Sequence, residues 1–269
     1  MSGFKDARIA LLEARMSSEM ADLIRRHGGN PYSVPAVREV PVESKGEVAE
    51  FIDRLAQSNI QIAVFFTGVG VTALFREAEQ LGRLPELLTS LKNITVICRG
   101  PKPSAVLKRY GVPITITAVE PYTTEELLQS LAPLELEGKG VAVLHYGERS
   151  EALSQALQER GASLEELCLY EWLLPEDTAP LQTLVHEIID RHVDAVVFTS
   201  QIQVRHLFLI AENLHLKAEL TNALNTRTIV ASIGPTCTGV LQHYGVTPHV
   251  IPEHPKMGHL VKTLAESMT

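Results

Sequence analysis

Residues 98–112 and 232–246 share Gly-Pro, Val-Leu and Tyr-Gly-Val at one internal spacing, and this repetition constrains the fold more than any other feature. Gly100 and Gly234 lie 134 residues apart. Extending the match outward pairs residues 65–71 and 74–75 with 198–204 and 207–208, now 133 apart. Further out, Ile9–Leu12 and Gly29 pair with Val141–Leu144 and Gly161, 132 apart. The chain is therefore an internal duplication, its copies running from about Arg8 to Leu131 and from about Lys139 to Leu264. The drift of two residues is a difference in loop length.

Each copy alternates short apolar runs with longer amphipathic ones. Ile9–Leu12, Ile62–Phe66, Ile94–Cys98, Val141–Leu144, Val193–Phe198 and Thr228–Ala231 are short runs rich in Val, Ile and Phe and apolar on both faces. Strands covered on both faces of a parallel sheet require that pattern. Between them, Ser18–His27, Val69–Leu81, Ala152–Arg160, Gln203–Asn213 and Leu260–Ser267 carry helical periodicity. Strand–helix alternation throughout predicts an α/β protein with two similar Rossmann/flavodoxin-like lobes, each on a parallel sheet. Gly29 and Gly161 are placed at the left-handed stops of the first helix of each copy. Gly-Pro after a buried strand sets proline at the first helical position, where its missing N–H costs nothing. The helix then runs to Tyr-Gly, where glycine ends it.

At 269 residues and 45% hydrophobic, the chain suits two domains of roughly 100–150 residues. It has neither an apolar run of about 18 residues nor a basic-then-apolar start, so no membrane association and no secretory leader are expected. Cys98, Cys168 and Cys237 are too far apart for a Cys-x-x-Cys pair and suit a reducing, cytoplasmic setting. Thirty-two acidic against 24 basic residues give a net charge of −8, which argues against nucleic acid as a partner.

Gly68-Val69-Gly70-Val71-Thr72-Ala73 matches a dinucleotide fingerprint in form, but the next strand ends in Cys98-Arg99, not an acidic residue. The copied segment, Gln201-Ile202-Gln203, has no glycine. The ten histidines, His254 and His259 included, show no metal-ligand spacing. Neither a nucleophile elbow nor a phosphate loop is present, so no metal and no other cofactor is expected. What remains is the carboxyl ends of parallel strands, where open α/β sheets bind ligands and helix N-termini present N–H groups to anions. Those ends carry Arg15, Thr67, Gly68, Lys102, Ser104, Gly147, Arg149, Ser200, Gln201 and Thr236. Hydroxyls, amides and a few cations without a nucleophile–base pair predict a cleft between the lobes that binds a polar anion.

With these features the chain resembles the uroporphyrinogen-III synthase family over essentially its whole length. The resemblance rests on the duplicated α/β pattern, Val197-Phe198-Thr199-Ser200, Ser232-Ile233-Gly234-Pro235-Thr236, and Leu169-Tyr170-Glu171 followed by Pro175. It departs from the family's common forms at Phe66, Gly68 and Ile202 and at Cys237, where a second threonine is frequent.

The resemblance implies a hydro-lyase of haem biosynthesis. Its substrate is a polyanionic linear tetrapyrrole, hydroxymethylbilane, closed to uroporphyrinogen III with inversion of ring D through a spiro intermediate and loss of water. Unaided, this substrate closes to the wrong isomer, so catalysis is chiefly positioning. Helix N-termini and local cations would make the site positive within an acidic protein. Tyr170 matches the family's tyrosine. A phenol, with a pKa near ~10, is protonated at neutral pH and suited to act as general acid. Read without the resemblance, Tyr170 is an aromatic packing on a strand.

The family's crossed-over chain path implies one lobe from 1–36 plus 175–269 and another from 42–169. Residues 37–41 and 170–174 would form a two-stranded linker, and the protein would be a monomer. The alternative readings are a catalytically silent tetrapyrrole-binding or regulatory homologue and a two-lobed small-molecule binding protein.

Overall fold

The computed structural model describes residues 3–41, 45–145, 147 and 149–268. The expected lobe boundary at 42 and the chain ends 1 and 269 lie outside the described residues. The chain opens with β1 (Arg8–Leu11), α1 (Ser17–Arg26), β2 (Asn30–Ser33), β3 (Arg38–Pro41) and α2 (Lys45–Ala56). It continues through β4 (Ile62–Phe65), α3 (Gly68–Gln80), α4 (Leu84–Leu91), β5 (Thr95–Cys98), α5 (Pro101–Arg109), β6 (Ile116–Thr117) and α6 (Thr124–Leu131). Then follow β7 (Gly140–Leu144), α7 (Glu151–Glu159), β8 (Ser163–Leu167), β9 (Tyr170–Leu173) and α8 (Ala179–Ile189). The last elements are β10 (Ala195–Phe198), α9 (Gln201–Asn213), α10 (Lys217–Thr226), β11 (Ile229–Ser232), α11 (Pro235–His243) and α12 (Met257–Ser267).

These elements fall into two compact units, Met1–Arg38 with Leu173–Thr269, and Glu39–Trp172. The chain crosses between them in β3 and β9, which pair as a sheet of their own.

The first unit holds a parallel sheet in the order β11-β10-β1-β2, with Val250 bridging Ala231 beyond β11. In the second, the parallel order is β6-β5-β4-β7-β8. Under the sequence offsets, β7, β8, β4 and β5 are the copies of β1, β2, β10 and β11, and β6 is the copy of the Val250 bridge. The two sheets therefore have one spatial order, and the duplication reaches it by exchange. Each sheet takes part of its strands from the first copy and the rest from the second.

Both faces of each sheet are buried, as continuously apolar strands demand. In the first unit Val196 and Phe198 face α8, α9 and α10, while Ala195 and Val197 face α1 and α12. In the second unit Ala63 and Phe65 face α2, α3 and α4, and Ile62 and Val64 face α6 and α7. Among the described residues no helix is long and apolar enough to cross a membrane.

The helix stops need one correction. Gly161 has the positive φ expected of it (+77°), but α1 ends on Gly28 (φ +74°), one residue before Gly29. Gly29 is needed for space: a Cβ there would lie 2.8 Å from both Ile24 and Phe4. The Tyr-Gly stops after α5 and α11 are as expected, with φ +69° at Gly111 and +77° at Gly245.

Candidate functional site

In each sheet the connections leave in opposite directions from a central strand pair, β4/β7 in the second unit and β10/β1 in the first. That is the topological switch point, and the crevice beyond its carboxyl ends is where such sheets bind ligands.

In the second unit, Thr67 follows β4 and caps α3, its Oγ1 accepting the Gly70 N–H at 3.0 Å. The same Oγ1 shares a hydrogen bond of 2.9 Å with the Tyr170 hydroxyl. Tyr170 is 3% exposed, and its ring lies 6.0 Å from that of Trp172. The glycines after Thr67 have a packing cause. A Cβ on Gly68 would lie 2.9 Å from the Lys102 carbonyl oxygen, so glycine lets α3 start close against α5.

Beyond β7 comes His145, fully buried. Its Nδ1 accepts the Ser150 backbone N–H at 3.2 Å, so Nε2 carries the proton and donates to Glu166 Oε1 at 2.7 Å. Glu166 also accepts the Ser154 hydroxyl at 2.6 Å and lies 3.7 Å from the Arg149 guanidinium. Burial holds His145 below its ordinary pKa, outweighing the pull of Glu166. For Glu166, burial pushes the carboxyl up, but Ser154, His145 and Arg149 together bring it below the usual range. The pair is a neutral imidazole on a carboxylate. Within the loop it holds, Gly147 has φ +83°, and a Cβ there would lie 2.9 Å from the Trp172 ring.

The first unit holds its equivalent loop differently. Glu13, just beyond β1, accepts the Arg15 N–H at 3.2 Å on Oε1 and the Thr199 hydroxyl on Oε2. Gln203, 3% exposed on α9, takes the Thr199 N–H on Oε1 at 2.8 Å and brings Nε2 to 2.9 Å from Thr199 Oγ1. Ser200 is the extended N-cap of α9 and Gln201 its first residue.

The repeated Gly-Pro phrase starts α5 and α11, with Gly100 and Gly234 as N-caps and proline at the first helical position. Both glycines have extended backbones, so what they supply is room. A Cβ on Gly100 would lie 3.3 Å from the Tyr122 ring, and one on Gly234 would lie 3.3 Å from Pro255.

Thr67, Gly68, Lys102, Gly147 and Arg149 thus lie at the strand ends of the second unit, with Tyr170 bonded to Thr67. Arg15, Ser200, Gln201 and Thr236 lie at those of the first; Arg15, Lys102, Arg149 and Thr236 are exposed. Ser104 lies in the first turn of α5. It is 8% exposed and donates its hydroxyl to the Gly100 carbonyl at 2.9 Å, because a serine in a first turn that faces the sheet bonds back into its own helix. Cys237 is buried in the first unit's core, its thiol pushed up to about 11 by burial, so this departure changes a core contact. His254 and His259 stack edge-on at 5.2 Å; among the described residues no group of three or more His, Cys, Asp or Glu could hold a metal ion.

Sequence reasoning passed over Glu13, His145 and Glu166, and gave Thr199 and Gln203 no role of their own. A histidine directly after a continuously apolar strand was the available signal, since a buried imidazole needs partners for both nitrogens.

Two permuted parallel-sheet units, with polar residues at the strand ends of each, define the class of α/β protein to which this fold belongs. A family model described as uroporphyrinogen-III synthase HemD matches residues 18–262. The chain belongs to the uroporphyrinogen-III synthase family. It is 31% identical to the uncharacterized protein YjjA of Bacillus subtilis over 98% of this chain and 97% of that one. It is 32% identical to a putative uroporphyrinogen-III synthase of Methanothermobacter thermautotrophicus, covering 94% of each. The crystal structure of a mutant uroporphyrinogen III synthase from Thermus thermophilus superposes with a TM-score of 0.79 at 28% identity, over 97% of this chain and 98% of that one.

Proposed function

We propose that the protein is a uroporphyrinogen-III synthase, a cytoplasmic monomer that closes hydroxymethylbilane with inversion of ring D and loss of water. The observation that carries this reading is the Thr67–Tyr170 hydrogen bond at the second unit's switch point, where a phenol is held beside a helix N-terminus. Backbone N–H groups at the starts of α3, α5, α9 and α11, with Arg15, Lys102 and Arg149, suit the substrate's carboxylates. Thr67 orients the Tyr170 hydroxyl, which gives its proton to the departing hydroxyl as water leaves. The remaining contacts fold the chain of pyrroles so that the substituted carbon of ring D is attacked. The reading requires neither metal nor other cofactor.

The burial of Tyr170 favours a second reading, a tetrapyrrole-binding homologue without turnover, in which the tyrosine only packs. Turnover of enzymatically generated hydroxymethylbilane separates the two. Isomer III in proportion to protein supports the synthase. Isomer I alone, at the unaided rate, leaves the silent homologue.

A further inference from the structure

We propose that His145 is a positioning residue: as a neutral imidazole it clamps Arg149 and Ser150, ahead of α7, in their substrate-holding form, and protonation releases them. The inference rests on the reading that Gly147 and Arg149 meet a polycarboxylate.

The geometry leaves His145 one productive state. With Nδ1 accepting the Ser150 N–H and Nε2 donating to Glu166, both nitrogens are used by the neutral form. A proton added at Nδ1 would set N–H against N–H and break the Ser150 bond. That bond secures the start of α7, because Ser150 is the N-cap of α7 and lacks a side-chain cap of its own. Glu166 extends the clamp on the other side, accepting Ser154 and pairing with Arg149. Among the described residues, Glu166 on β8 and Arg149 in the loop are the charges acting on the imidazole. Ser150 and Ser154 meet the cluster from α7, and the Phe66 ring lies 5.5 Å from that of His145, with Arg99 over it at 5.2 Å. Burial opposes the charged ring, so neutral pH keeps the clamp shut.

The test uses the full chain and two substitutions that divide the ring's duties. His145→Asn places an amide oxygen near the Nδ1 position, keeping an acceptor for the Ser150 N–H. His145→Gln reaches Glu166 and abandons Ser150. We expect His145→Gln to raise KM for hydroxymethylbilane and speed Ser150 amide exchange by about fivefold, the worth of one buried hydrogen bond, with kcat little changed. His145→Asn should restore both and abolish their acid dependence. Equal KM in both variants and the wild type would overturn the proposal, as would equal damage in both.

In the unsubstituted protein, imidazole nitrogen NMR should show the Nε2–H form at neutral pH, with Ser150 protection lost as His145 is protonated. An Nδ1–H form, or protection indifferent to that protonation, would also overturn it. These two readouts need no turnover, so they judge the clamp even if the protein proves catalytically silent.

Discussion

The loop after β7 and the loop after β1 stand at copied positions, and they are secured by different chemistry. In the second unit a buried neutral imidazole takes the loop's N–H and leans on a carboxylate from the neighbouring strand β8. In the first, the carboxylate of Glu13 takes the loop's N–H itself and is met from the other side by Thr199 and Gln203. Duplication preserved the position and the need for an acceptor, but not the residue that meets it. A second contrast follows at the helix starts. The second unit uses Gly68 because α3 begins 2.9 Å (from a notional Cβ) from the α5 backbone, whereas Gln201 opens the copied helix α9.

The comparison is sharpened most strongly in the cores, where the copies should behave alike. Phe65 and Phe198 are equivalent and 1% and 0% exposed. Each change to alanine should cost about 3–5 kcal/mol, read by denaturant unfolding with hydrogen exchange to assign the unit affected. A cost confined to one of the two would break the equivalence.

Next in size is the helix start. Gly68→Ala forces a Cβ against the Lys102 carbonyl and should destabilise by about 1–3 kcal/mol, while Gln201→Ala should stay within about 0.5 kcal/mol. Equal thermal midpoints for the two variants would deny that Gly68 is there for space.

Tyr170→Phe removes the hydrogen bond to Thr67 while Thr67 Oγ1 still accepts from Gly70, and should cost about 1 kcal/mol of stability by calorimetry. Loss of several kcal/mol would mark the tyrosine as a core element first.

The smallest effect is in pH. His145 has a folded pKa below its ordinary 6.5, so the unfolded chain binds its proton more readily. Its contribution to stability is therefore complete above that value and is lost as pH falls from there through the folded pKa. Stability against pH should fall less steeply in His145→Asn than in wild type over that window. Identical slopes would place the burdened histidine elsewhere.

Much of this architecture was legible in the chain. Continuously apolar strands gave two-sided parallel sheets, and Gly-Pro gave the starts of α5 and α11, because both patterns follow from local sterics. Gly29 misled because Gly28 and Gly29 are adjacent, and only the packing of Phe4 and Ile24 decides which turns left-handed. The rim positions were readable from strand ends, yet Ser104 turned inward to its own helix and His145 went unremarked. Side-chain pairing across β7 and β8 depends on register, which no single-sequence pattern supplies.

The central claim is that the proton is delivered from the second unit's switch point while the Gly-Pro-Thr turn of the first only holds substrate. Steady-state turnover to isomer III by Tyr170→Phe and Thr236→Ala, side by side, tests it most directly. Tyr170→Phe should lower kcat by roughly 10-fold with KM little changed, below the usual range for a general acid because this substrate closes unaided, and Thr236→Ala should chiefly raise KM. Wild-type kcat in Tyr170→Phe together with abolished kcat in Thr236→Ala would contradict the account and move the chemistry to the first unit.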